Sequence, residues 1–476
     1  MNDTSLSAPF RKASGKAGKP LKLTDVQAEA IGRETGEPGW LVDSRRSALE
    51  TYRRMELPGA ADDAWRHDGL LRYPYADLTL EALAVAGKRK HAPAKWRKPA
   101  RGMKISGWLA QEDAEAKQQT LDDELSRAGV IFLPILEAAR EYPDLVRPLL
   151  GSAVPAADGL FSALDATIFD AGVFLHVPKG VRIEKPLHSM LWSSGNGLRA
   201  GRLLVHLEEG AEAGLLHESV SPAKKAGAAR IDVVELVIRS GASLHFYLSQ
   251  QWGANMARVA HQRAVIGRGG RLIWGETNLG ALSAKTFSAV ELEEEGASAQ
   301  WTALHVLDGS QQADFSTFQH HAAPNTQSDY LGKCVVADSA RYISAGMVRV
   351  ESEAHGTDGY QGSRILTLSD AAKAEAVPGL EILSDDVRCS HGVTIGELDP
   401  EELFYLRSRG ISVREARKVL AEGFLEEALG RIPETDIRKR VRLAVLAKME
   451  TMEAVHIRIK TNGPPRSRAE DQGVPP

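Results

Sequence analysis

Two spacings of apolar residues alternate along the chain. Between about residues 24 and 160 they recur at three- and four-residue intervals: Trp40, Leu41, Ala48, Leu49 and Tyr52 run up to a stop at Leu57, Pro58 and Gly59. Leu133 to Leu150 repeats that period around a break at Tyr142 and Pro143. Such spacing gathers apolar side chains on one helix face, and Thr24 followed by Gln27 has the form of a capping box that opens a helix. An N-terminal helical domain over 24–160 is expected.

From about residue 165 the helical period disappears and short β-branched or leucine-rich runs follow one another between glycine-bearing turns. The small pairs Gly210-Ala211, Gly241-Ala242, Gly269-Gly270 and Gly296-Ala297 are spaced 31, 28 and 27 residues apart. Each is preceded by one apolar strand, such as Leu203 to Leu207, and followed by another, such as Ala213 to Leu216. A strand–turn–strand unit cannot bury both faces alone, so stacking copies into a β-helix or β-roll is the economical solution. An antiparallel sandwich with similar turn spacing is the competing architecture.

Helical signals return after residue 395. Asp399 precedes Pro400, Glu401 and Glu402, the order expected of an N-cap, a first-turn proline and acids at the positive end of the helix dipole. Ser412 and Glu415 make a second capping box, opening a helix with Ala416, Val419, Leu420 and Phe424 on one face. Pro433 ends it, and a third helix carries Val441, Leu443, Ala444, Leu446 and Ala447. The expected division is a disordered tail at 1–23, the helical domain at 24–160, a β-helix core at 161–390, a C-terminal helical domain at 391–455 and a tail at 456–476.

Composition narrows the chemistry. With 59 Lys and Arg against 63 Asp and Glu among 476 residues, the net charge of −4 lacks the basic excess of a dedicated nucleic-acid binder. Eight Lys and Arg lie between Lys88 and Lys104 around Trp96, in a proline-flanked stretch that reads as a solvated basic loop. Two cysteines, Cys334 and Cys389, exclude a disulfide framework and fit a reducing, cytoplasmic setting. No apolar run reaches the length of a membrane helix, and no apolar signal core follows the first basic residues, so neither a membrane span nor secretion is expected. No phosphate-binding loop, zinc-protease helix or serine elbow is present, so the chain is expected to be neither a nucleotide hydrolase nor a classical hydrolytic enzyme.

Of 14 histidines, His391 is set apart by its neighbour Cys389 in the run Asp385 to Gly392. In an extended segment residues i and i+2 point to the same side, so this thiol and imidazole could face one metal or one partner surface; a buried cysteine beside a hydrogen-bonded histidine is the alternative. Two ligands do not close a site. The rest must come from elsewhere in the fold or from a second subunit.

Three stretches then carry a resemblance: FLHVPKGVRIEKPL from Phe174 to Leu187, PGLEILSDDVRCSHGVTIG from Pro378 to Gly396, and LFYLRSRGI from Leu403 to Ile411. Together they resemble the SufB/SufD iron-sulfur cluster assembly scaffolds, on the SufD side of that pair. The resemblance implies an α+β chain with a right-handed parallel β-helix core between helical domains, and a non-catalytic scaffold rather than an enzyme. It implies pairing with SufB through the β-helix, binding of the SufC ATPase by the C-terminal helical region, and a transient iron-sulfur cluster at the SufB interface, with no nucleotide on this chain. His391 falls on the family's proposed cluster-site histidine and Cys389 is the adjacent motif cysteine; His321 is a weaker candidate for an iron or cluster role. Arg414, Arg417 and Lys418 form a charged face that could meet SufC. SufB-like chains carry cluster-site and sulfur-accepting cysteines that would fall near Gly362 and near Val265 or Ile266; this chain has neither thiol there.

Alternatives remain at this stage: a SufB-like homodimeric scaffold, a purely structural β-solenoid, or a β-helix enzyme acting on acidic polysaccharide. Helical domains at both ends oppose end-to-end polymerisation. The last class usually carries a secretion signal.

Overall fold

The computed structural model describes residues 36–58, 102–194, 197–222 and 228–452, with Leu23, Trp65, Ala92, Pro93 and Trp96. The tail at 456–476, the Thr24 capping box and most of the tail at 1–23 and of the basic loop lie outside the described residues. Leu23, the last residue of the expected tail, is buried and its carbonyl accepts from Arg53.

Helix α1 (Gly39–Arg53) buries Leu41, Ala48, Leu49 and Tyr52, the face that the apolar spacing predicts. A hairpin of β1 (Gly107–Glu112) and β2 (Glu115–Leu121) follows, then α2 (Asp123–Arg127) and β3 (Ile131–Pro134). Helices α3 (Ile135–Glu141) and α4 (Pro143–Leu149) meet at Tyr142, and α5 (Leu160–Ile168) leads into the core. The region expected to be helical therefore also carries three strands. β1 is buried at every position, so no alternation betrays it as a strand.

The core is a β-solenoid of eight coils, each made of two strands. In chain order the coils are β4 (Ala171–Val177) and β5 (Leu187–Trp192); β6 (Gly197–Leu207) and β7 (Glu212–Val220); β8 (Ala228–Ile238) and β9 (Ser243–Gln251); and β10 (Met256–Ile266) and β11 (Arg271–Asn278). The stack continues with β12 (Ser283–Leu292) and β13 (Ser298–Leu307); β14 (Gln312–His321) and β15 (Gln327–Val336); β16 (Arg341–Val350) and β17 (Thr357–Thr367); and β18 (Lys373–Ile382) and β19 (Val387–Glu397). Even-numbered strands form one parallel sheet from β4 to β18 and odd-numbered strands the other from β5 to β19. The antiparallel contacts lie at the start, where β2 pairs with β1 and β3 with β4. A boundary at residue 390 would cut β19, which carries His391 near its middle.

The repeat glycines explain the stacking. Gly210, Gly241, Gly269 and Gly296 have φ between 60° and 72°, a conformation that a Cβ disfavours. Each turn N–H then reaches a carbonyl of the next coil, Gly210 to Ser240, Gly241 to Arg268 and Gly269 to Glu295.

Inside, in-register positions stack as columns. Phe246, Trp274, Trp301 and Tyr330 form one column, with ring centroids 6.1, 4.9 and 4.9 Å apart in that order. The same column continues through Gln361 to His391. Outside, α3 and α5 cover the first sheet around β4, β6, β8 and β10. Three C-terminal helices follow: α6 (Pro400–Ser408), α7 (Val413–Gly430) and α8 (Thr435–Met449). The last two cover the second sheet around β13 and β15. With both faces covered, mid-solenoid strands are buried along nearly their whole length, as all-parallel sheets require.

Asp399 caps α6 by accepting from the N–H of Glu401, and Ser412 caps α7 by accepting from that of Glu415. The faces are rotated from expectation in α7 and α8. Ala416, Ala421, Leu425, Ala428 and Leu429 are buried in α7 and Ile437, Val441, Val445 and Met449 in α8, whereas Val419 and Leu443 are exposed. A flat sheet takes one stripe of each helix, and small alanines allow the closest approach.

The first coils are sealed by buried ion pairs. Arg202 binds Asp165 of α5 and Glu235 of β8, both at 2.8 Å, and Glu235 accepts from the N–H groups of Gly151, Ala153 and Val154. Arg45 of α1 holds Glu37 and the carbonyls of Thr167 and Phe169. A buried charge is tolerated only when paired and hydrogen-bonded in this manner.

Candidate functional site

Among the described residues the last coil has no successor. β18 and β19 are the terminal strands of the two sheets, so each presents an unpaired backbone edge. Val377, Leu380, Ile382 and Leu383 are exposed on and beside one edge, and Val393 and Ile395 on the other. Pro378 has no N–H to lose and suits an edge strand. Ten- and eleven-residue edges bearing exposed apolar side chains are templates for pairing with another chain.

His391 and Cys389 both lie on β19, with Val387, Val393 and Ile395, on the side that continues the lumen columns. His391 is exposed because no ninth coil covers it, and it stacks in register on Gln361. Cys389 is half-buried and packs on Val348, Val350 and Ala354. Burial pushes its thiol up, the backbone of Gly359 pulls the other way, and Asp358 adds to the rise. At neutral pH it is a thiol rather than a poised thiolate.

A polar floor lies beneath His391. Gln361 reaches across the lumen to donate to Thr317 Oγ1 at 3.3 Å, over Gly346, where a Cβ would collide with the amide. Ser344 and Ser363 meet across the same space at 3.1 Å, and Gln319 donates to Ser328 Oγ and to the carbonyl of Tyr360.

His321 lies on β14, two coils beneath the last. Its Nδ1 and Nε2 meet Thr326 Oγ1 and Ser328 Oγ, both at 2.8 Å, and burial, then the neighbouring His320, lowers its pKa to about 3. Its nitrogens are thus engaged by hydroxyls. The Cys389 sulfur and His321 Nε2 lie 3.3 and 3.4 Å from the point that a Cβ on Gly359 would occupy, so that glycine keeps open the space between them. Among the described residues no group of three or more His, Cys, Asp or Glu side chains is placed to hold a metal ion.

A second exposed feature follows directly. Helix α6 buries none of its residues and exposes Phe404 and Tyr405. By contrast, Arg414 and Lys418, from the charged face expected to meet a partner, bind Glu450 at the end of α8. α7 and α8 are pinned to the solenoid: Glu427 binds Lys333 of β15 and Arg364 of β17, Glu434 takes His245 and Tyr247 of β9, and Arg440 binds Glu218 of β7. Sequence reasoning missed Gln361, Gly346 and Gly359, because only the coil register brings them beneath β19; the two glycines had no turn signal to mark them.

No described helix is long and apolar enough to cross a membrane. Residues 190–424 match the family model described as "SUF system FeS cluster assembly, SufBD core domain", and residues 27–188 match that of the SufBD protein N-terminal region. An iron-sulfur cluster assembly SufBD family protein of Staphylococcus epidermidis is 26% identical over 427 residues, covering 86% of this chain and 90% of the relative. The iron-sulfur cluster assembly protein SufB of Bacillus subtilis is 26% identical over 417 residues, with the same coverage of each.

Proposed function

The chain belongs to the SufBD family of iron-sulfur cluster assembly proteins, and from that premise we propose that it is a SufD-type scaffold subunit, a non-catalytic half of a shared assembly site. One observation carries the reading: an exposed imidazole, two residues from a thiol, sits on a coil that is terminal among the described residues. SufB is the partner proposed for β18 and β19. Pairing would extend both sheets and bury the apolar edge residues while placing His391 and Cys389 in the interface. There, an imidazole and a thiol are available to a transient cluster whose remaining ligands come from the partner. The exposed Phe404 and Tyr405 of α6 are the proposed contact for the SufC ATPase, which would supply the nucleotide chemistry. Absence of cysteine at Gly362 and at Val265 or Ile266 supports SufD over SufB.

Co-expression with SufB and SufC counterparts tests this, comparing wild type and His391→Ala for complex formation and for anaerobic iron-sulfur absorption after reconstitution. The expected result is an intact complex in both and loss of the cluster in the variant. No complex with wild type overturns the partner; equal clusters overturn the site. The name of the Bacillus subtilis relative favours a second reading, a SufB-like subunit pairing with its own copy. Sedimentation of the chain alone and with SufB separates the two, since that reading requires a stable homodimer that SufB does not displace.

A further inference from the structure

The middle of the lumen holds a second thiol–imidazole pair, two and three coils beneath the terminal one. His305 of β13 and Cys334 of β15 are in-register neighbours on adjacent parallel strands. Both belong to the inward-facing set: Cys334 packs in the lumen core with Tyr330 and Tyr342, and the His305 ring lies 4.8 Å from those of Phe315 and Tyr342 on the opposite sheet. Each is 1% exposed. Neither nitrogen of His305 has a hydrogen-bond partner among the described residues, and Cys334 is a free thiol. Buried imidazoles almost always find partners, so an unpartnered one beside a thiol points to a missing ligand.

We propose that His305 and Cys334 form a two-coordinate site for a soft monovalent cation of the copper(I) class. Ligand number and charge select that class. No third His, Cys, Asp or Glu among the described residues completes a group here, which rules out the four-coordinate sites that zinc prefers and leaves a linear ion. Thiolate and imidazole are soft and borderline donors suited to copper(I). A monovalent ion on one thiolate is neutral, whereas a divalent one would bury an uncompensated charge in the lumen. In-register neighbours on parallel strands have backbones about 4.8 Å apart, and both side chains leave the same face of the sheet toward the lumen.

The imidazole is ready for this role. Burial, with Arg258 nearby, lowers the pKa of His305 to about 3, so its lone pair is free at neutral pH. Burial also holds Cys334 as a thiol, so binding releases one proton: the S–H bond breaks, a sulfur–metal bond forms, and the proton leaves to solvent. No electron is transferred.

The test uses the reduced full chain carrying Cys389→Ser, in which Cys334 is the sole thiol. Copper(I) is titrated anaerobically against a chromophoric chelator, both on the folded chain and during refolding. One equivalent should bind, with sulfur and nitrogen in the first shell by X-ray absorption. Adding Cys334→Ala or His305→Phe should weaken it about 100-fold or more, the nitrogen scatterer disappearing in the latter. Less than one equivalent in the single-thiol chain, or unchanged affinity in His305→Phe, overturns the site. Should either variant fail to fold, copper(I) must still raise the unfolding midpoint of the single-thiol chain; no rise overturns the proposal.

Discussion

The two ends of the solenoid solve the same problem in opposite ways. At the first coils the sheets run on into β1, parallel to β5, and into the antiparallel strands β2 and β3; α1, α3 and α5 cover this end, and Arg45 and Arg202 tie it to buried carboxylates and carbonyls. At the last coil nothing among the described residues closes the sheets, and apolar side chains are exposed along two strands. The contrast teaches where this chain places stability and where it places recognition. A cap stabilises the monomer, while an exposed edge is stabilised by binding.

Breaking the closed end should have the largest effect. Arg202→Ala leaves Asp165 and Glu235 buried without their cation, and should lower unfolding free energy by about 3–5 kcal/mol in chemical denaturation. At the open end, Val393→Asp with Ile395→Asp should leave monomer stability within about 0.5 kcal/mol, since both residues are exposed. The same pair should weaken association with SufB, the partner proposed above, about 100-fold, close to 2.7 kcal/mol, in sedimentation or calorimetry.

Acid sharpens the comparison further. His261, buried against Phe287 and without a hydrogen-bond partner at either ring nitrogen among the described residues, has a pKa lowered to about 3, chiefly by burial. The unfolded chain therefore binds more protons between about pH 6.5 and pH 3, and stability falls as pH drops through that window. His261→Phe should flatten this loss by up to about 1.4 kcal/mol per pH unit in urea melts at stepped pH, with little change at pH 8. The smallest effect is expected at α6, where Asp399→Ala removes one exposed cap and should cost about 1 kcal/mol, read as a small fall in helical signal.

Much of this contrast was legible in the residues, though unevenly. The 28-residue glycine period announced the coils because a turn with positive φ strongly favours glycine, and Asp399 and Ser412 marked helix starts through cap chemistry that acts over three residues. β1 escaped notice because a strand buried on both faces shows no alternation. Val419 and Leu443 pointed away from the expected faces because the orientation of a helix on a sheet is decided by the sheet. His391 and Cys389 were visible as a local motif. Their exposure was not, since it follows from being on the final coil, a property of the whole stack rather than of any neighbourhood in the chain.

The pins that hold α7 and α8 to the solenoid have a mechanical consequence. In a bare stack each coil touches only its neighbours, so a load would peel it one layer at a time. Here one helical pair grips β7 through Arg440, β9 through Glu434, and β15 and β17 through Glu427, bridging coils that are far apart along the axis. It works as a splint. A force entering through α6 is shared across several layers at once, and the solenoid answers as a rod that tilts rather than a spring that unwinds.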